Sequence, residues 1–200
     1  RALPALAEIA ARHPGRLRVV EGDALALRPD LAAPWRVVSN LPYNIGTELF
    51  SGWMEGDWPP PWQSLTLMFQ REVAERITAS PGSKAWGRLG VLAQWRAEAR
   101  ILFEVPPRAF TPAPKVTSAV VLVRPLPGPR FPAEAGALSR IARAAFGQRR
   151  KMLRQSLRAA APGAGALCAA AGVEETRRAD DVTLEEFCAL ARALSAGAGG

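Results

Sequence analysis

The segment Val37-Val38-Ser39-Asn40-Leu41-Pro42-Tyr43-Asn44 runs from a β-branched apolar pair into an amide, a proline and an aromatic ring. Two readings fit it. A strand ends there in an ordinary turn, or a strand end presents an amide oxygen and a ring to a planar substrate. The surrounding chain gives the segment its setting. Residues 3–12 read as the tail of an amphipathic helix, stopped by His13-Pro14-Gly15. Leu17 to Val20 read as a short strand with Glu21-Gly22-Asp23 at its carboxyl end. Arg36 to Ser39 repeat that plan, and a helix capped by Thr47 is expected to follow. After the proline-rich DWPPPWQ, residues 64–70 read as a third strand that enters the helix REVAERITA. Helix and strand alternating at this spacing predict a parallel α/β sheet.

Beyond residue 88 the character changes. RLGVLAQWRAEARILFEV reads as a helix and then a strand, and PPRAFTPAPK as a rigid loop. VTSAVVLVRP is a β-branched strand. Two strands joined by such a loop predict an antiparallel pair at the sheet edge. LPGPRFPAEAG reads as a linker. Residues 134–195 then carry only helical periodicity, divided into three or four short helices. Thr183 with Glu186 forms a capping box for the last of them.

Composition narrows the function classes. With 48% hydrophobic residues the chain can bury a sizeable core, and its net charge of +8 points to a polyanionic partner such as nucleic acid. The two cysteines, Cys168 and Cys188, lack metal-ligand spacing, and the single His13 has no partner ligands, so no metal site is expected. Two lone core thiols suit a reducing compartment. No run reaches membrane-spanning length and no signal pattern is present, so a cytoplasmic monomer is expected.

In parallel α/β sheets ligands bind beyond the carboxyl ends of strands, where Asp23 and Asn40 both fall. Singly, each has a local reading: Asp23 caps a helix and Asn40-Leu41-Pro42 makes a turn. Together they suit methylation of an exocyclic adenine amine. That lone pair is delocalised into the ring and is a poor nucleophile. The Asn40 amide oxygen and the Leu41 carbonyl, held by Pro42, can accept the two amine hydrogens and draw the nitrogen toward a tetrahedral shape. Tyr43 can stack on an extruded base, worth about 1–3 kcal/mol, comparable with the cost of unstacking it. Such catalysis rests on positioning rather than on a base of unusual pKa.

NLPY resembles the (Asn/Asp/Ser)-Pro-Pro-aromatic signature of amino-methyltransferases. NLPYNIGT, FQREVAERITA, PGSKAWGRL, FTPAPKVTSAVV and AFGQRRKMLRQSL are similar to the bacterial small-subunit ribosomal RNA adenine dimethyltransferase family. The similarity runs from residue 1 to about 192, with one departure at Trp86, where a tyrosine is expected. It implies a Rossmann-like S-adenosylmethionine-dependent methyltransferase domain at residues 1–130 and a helical RNA-binding domain at 131–200. It also implies transfer of four methyl groups to two adjacent adenosines near the 3′ end of small-subunit RNA. By this resemblance Asp23 contacts the cofactor adenine, Asn40 lies between the methionine end and the target amine, and Phe110 contacts the base across from Tyr43. Read from the residues alone, Phe110 also suits a loop anchor in the core.

The run Arg140, Arg143, Arg149, Arg150, Lys151, Arg154 and Arg158 contains no acid. A solvated helix face normally mixes signs, so phosphate contact is the better reading. Arg149, Arg150 and Lys151 are consecutive and are expected to fan around a helix, with some pairing inside the protein.

Two further expectations concern what the chain does not show. PGAGALCAAAG has no strand before it and is read as a helix connection rather than a cofactor loop. The resemblance implies sheet order 3-2-1-4-5-7-6, with residues 17–20 as strand 3 and 36–39 as strand 4. Strands 1 and 2, with their glycine turn and ribose-binding acid, are expected to lie upstream of Arg1, leaving a gap of about 14 Å. The chain is thus expected to be an amino-terminal truncation that binds cofactor poorly by itself. Two rival functions remain: the large-subunit RNA dimethyltransferase of the macrolide-resistance type, and a non-catalytic ribosome-assembly factor that binds RNA.

Overall fold

The structure, a computed structural model, describes residues 3–26, 31–42 and 44–197. The chain divides into two compact units, Arg1–Leu31 and Ala32–Gly200. Within the first, α1 (Leu3–Arg12) forms as its periodicity predicts and carries an Arg12–Glu8 pair at 2.7 Å. The expected strand at 17–20 does not form, and Val20 is 55% exposed. Its sequence is strand-like, but a lone extended segment has no ladder to satisfy its backbone, and no partner strand faces it among the described residues.

The second unit contains β1 (Trp35–Asn40), α2 (Gly46–Glu55), β2 (Trp62–Gln70), α3 (Arg71–Thr78), α4 (Arg88–Arg96), β3 (Ala97–Val105) and β4 (Ser118–Pro125). The sheet order is β1-β2-β4-β3, with β1 and β2 parallel and both β4 pairings antiparallel. The parallel core and the antiparallel edge pair follow the sequence reading, and the order matches the 4-5-7-6 segment of the family sheet.

Alternation sets the two faces. Leu65, Leu67 and Phe69 of β2, with Val121 and Val123 of β4, are buried beneath Phe50 and Met54 of α2, Ala74 and Ile77 of α3, and Leu92 and Ala93 of α4. The other face stays open: Thr66, Met68 and Gln70 are half-buried and Val38 is 81% exposed. α2 begins one residue before Thr47, without a side-chain cap. The Pro42 carbonyl instead accepts the N–H groups of Ile45 (3.2 Å) and Gly46 (3.0 Å), which removes the need for the threonine cap.

The tail comprises α5 (Ala135–Gly147), α6 (Leu153–Ser156), α7 (Ala164–Ala171) and α8 (Leu184–Gly197). The capping box is present: Thr183 N–H donates to Glu186 Oε2 (2.8 Å) and Glu186 N–H to Thr183 Oγ1 (3.3 Å). The glycine-rich stretch is helix α7, closed by Gly172 at φ +67°. One expectation fails here. Arg149, Arg150 and Lys151 do not lie on a helix; α5 stops at Gly147, and residues 148–151 form a turn closed by Lys151 N–H to Gln148 O (2.8 Å). Glycine is a poor helix former, and consecutive like charges gain nothing from continuing one.

The cores meet on α4. Leu92 and Ala93 belong to the sheet core, whereas Val91 and Trp95, with Trp86 just before the helix, belong to the tail core beside Leu138, Ile141 and Phe187. Trp86 is fully buried, donates from Nε1 to the Val182 carbonyl (3.1 Å) and meets Phe146 edge-on at 6.5 Å. The tail is therefore packed directly on residues of the α/β layer.

Candidate functional site

The sheet topology gathers one set of candidates. Asn40 ends β1 opposite Met68, Gln70 ends β2 opposite Ser118, and Ser118 starts β4 opposite Val105, the last residue of β3. The 106–117 loop leaves the sheet at this same end, so Asn40-Leu41-Pro42 and Phe110 share it. β2 lies between β1 and β4, which separates them by two strand spacings, about 10 Å, enough for a flat base between the loops. Arg71 N–H donates to the Thr117 carbonyl (2.9 Å) and pins the loop to the start of α3.

β1 ends at Asn40, and the chain turns directly after it. Leu41 is buried at 6% exposure and anchors the turn in the sheet core. Asn40 is exposed, and among the described residues its amide has no hydrogen-bond partner. The Leu41 carbonyl likewise receives no backbone donor among them, whereas the Pro42 carbonyl is occupied by α2. Two acceptors are thus left open at the end of the sheet. Gly46 makes the turn this tight: a Cβ there would lie 3.3 Å from the Phe69 ring and 3.5 Å from Leu41 Cβ. Sequence reading missed Gly46, because nothing local says that α2 starts against β2. Phe110 is half-buried, after a 3₁₀ turn at Pro107–Ala109. Tyr43 lies outside the described residues.

Asp23 lies in the Arg1–Leu31 unit and is exposed. Its Oδ1 accepts the Leu25 N–H at 2.9 Å in a local turn at residues 24–26, in place of the helix cap of its local reading, and its second oxygen has no partner among the described residues.

The basic run sorts into two groups. Arg149 pairs with Asp180 (2.6 Å) and donates to the Lys84 carbonyl (2.7 Å), Arg154 faces Glu175 at 3.5 Å, and Arg140 donates to the Ala160 carbonyl (3.1 Å). Arg143, Arg150, Lys151 and Arg158 are exposed and make no ion pair or side-chain hydrogen bond among the described residues. Arg140 and Arg143 line an open groove of about 530 Å³ with Gln148 and Ala160. Glu55 also borders it, but Arg88 neutralises that carboxylate at 2.5 Å.

Both cysteines are buried and unpaired, and burial pushes the Cys188 thiol up to about 12, which leaves it unreactive. Among the described residues no cluster of His, Cys, Asp and Glu is placed to hold a metal, and no helix is long and apolar enough to cross a membrane.

Comparison with known proteins gives a consistent result. A family model described as ribosomal RNA adenine dimethylase matches residues 4–196. A protein of Ruegeria pomeroyi named ribosomal RNA small subunit methyltransferase A is 62% identical over 198 residues, which covers 98% of this chain and 71% of that protein. One of the same name from Paracoccus denitrificans is 61% identical over 199 residues, with the same coverage. Among solved structures, a dimethyladenosine transferase from Plasmodium falciparum aligns with a TM-score of 0.73 at 20% identity, over 96% of this chain and 78% of that one. The 23S rRNA methyltransferase ErmE aligns at 0.63 and 25% identity, over 96% and 77%.

Proposed function

This chain belongs to the ribosomal RNA adenine dimethylase family, and we propose that it dimethylates the N6 amines of two adjacent adenosines near the 3′ end of small-subunit ribosomal RNA. S-adenosylmethionine supplies the methyl groups. The observation that carries the site assignment is the pair of open acceptors, the Asn40 amide and the Leu41 carbonyl, on the sheet end that the Phe110 loop also borders.

The chain's own residues act by holding and orienting. The Asn40 Oδ1 and the Leu41 carbonyl accept the two amine hydrogens, which localises the nitrogen lone pair and aims it. Pro42 and Gly46 fix the turn, so this alignment needs no rearrangement during reaction. Tyr43 and Phe110 hold the base, and Asp23 binds the adenine end of the donor. Arg143, Arg150, Lys151 and Arg158 neutralise RNA phosphates, assisted by Arg140 at the groove. We divide the chain into a catalytic part, 1–130, and an RNA-binding tail, 131–200, acting as a monomer in the cytoplasm on immature small subunits.

The small-subunit reading is favoured over the large-subunit one by 62% identity to a small-subunit enzyme against 25% to ErmE. The test is transfer of tritiated methyl groups to immature small subunits, with large-subunit RNA as control. Asn40→Ala is expected to lower kcat by about a hundredfold or more while leaving RNA affinity within twofold. Normal methylation by that variant would overturn the role of Asn40. RNA binding without methyl transfer by the unaltered protein would favour the assembly-factor alternative.

A further inference from the structure

Arg149 stands in a basic turn, yet its half-buried guanidinium is tied back onto the protein. Its Nε meets Asp180 Oδ1 at 2.6 Å and its Nη2 donates to the Lys84 carbonyl at 2.7 Å. Two more bonds join the same segments: Gly82 N–H to the Asp180 carbonyl (3.1 Å) and Trp86 Nε1 to the Val182 carbonyl (3.1 Å). The cavity beside Arg149 balances the carboxylates Glu72, Glu75 and Asp180 against Arg76, Lys84 and Arg149, and Glu72 is itself paired with Arg76, so it concentrates no net positive charge for a phosphate. Arg150 and Lys151, the next two residues, are exposed.

Lys84 belongs to the loop that follows α3, and α3 begins at the sheet end that carries the base site. The helix has eight residues and spans about 12 Å. The guanidinium therefore fastens the RNA-facing turn to the loop that leaves α3, a helix whose other end borders that site.

We propose that Arg149 is a positioning residue and not a phosphate contact: by bridging Asp180 and the Lys84 carbonyl it sets where Arg150 and Lys151 hold the RNA relative to Asn40. This rests on the reading of the protein as an RNA adenine dimethylase. Adjacent adenosines must enter one site in turn, so a displaced RNA changes the balance between them.

The experiment compares Arg149→Ala, Asp180→Ala and Arg150→Ala on immature small subunits, scoring RNA affinity against salt and the distribution of methyl groups over the two adenosines. Arg150→Ala is expected to reduce the slope of log K against log salt by about 0.7–0.9. Arg149→Ala and Asp180→Ala are expected to keep that slope, lower kcat by about tenfold and shift the distribution by about threefold or more, with the double variant no worse than either single one. A slope reduced by Arg149→Ala overturns the proposal in favour of a phosphate contact. A distribution unchanged while all rates fall together overturns it in favour of simple loss of folded protein. Should the unaltered protein transfer no methyl group, the dimethylase reading fails, and the slope comparison still decides whether Arg149 touches phosphate.

Discussion

Glu186 is held below the ordinary glutamate range: burial pushes its carboxyl up, but hydrogen bonds from Arg177 and Thr183 and the Arg177 charge outweigh that penalty. A depressed folded pKa contributes stability that is complete at neutral pH and is lost as pH falls below about 4.3 and through the folded value. Glu186→Gln should therefore be less stable than the unaltered chain at pH 7, with the difference shrinking toward pH 3, as measured by thermal melting across that range. Gly90 shows what such local reading misses. A Cβ there would lie 2.9 Å from the Trp86 ring and 3.0 Å from the Arg76 carbonyl, so Gly90→Ala should destabilise by about 1–3 kcal/mol in urea titration. The Thr183–Glu186 box was legible because both partners lie in one turn of chain. The need for Gly90 was not, because it arises only when α3 and α4 pack together.

Among elements, those whose partners are close in sequence, or whose apolar pattern is long, could be read directly. β2, β4 and α3 announce themselves by alternation and helical period, and the strand end at Asn40 by its chemistry. Leu17 to Val20 have the right residue types, but whether they form a strand depends on a neighbour that their own sequence cannot specify. The basic turn at 148–151 reads as helix because charge runs carry no mark of where periodicity stops, and Gly147 is the single local clue. Gly172 offers a clean test of an element boundary. It is left-handed at φ +67° with nothing within 4 Å of an added Cβ, so Gly172→Ala adds backbone strain without a clash. A loss of about 1 kcal/mol is expected from equilibrium unfolding, and none would mean that α7 can end in another way.

At the scale of the whole molecule, the four-stranded sheet carries its core on one face, while Val38 on the opposite face is 81% exposed and β1 is an edge strand. The family fold was visible in the sequence through ordered motifs from residue 40 onward. That some of the basic run pairs inside the protein was also legible, but the choice of Arg149 and its partner was not, because only the assembled tail brings Asp180 to it. The sharing of α4 between two cores also bears on how such proteins recombine in evolution. The proline-rich stretch at 126–133 looks like a natural seam, yet a crossover there would leave Trp86, Val91 and Trp95 facing a tail they did not co-evolve with. Viable chimaeras between relatives should instead carry residues 79–96 along with the tail, which places the inherited module boundary well upstream of the visible linker.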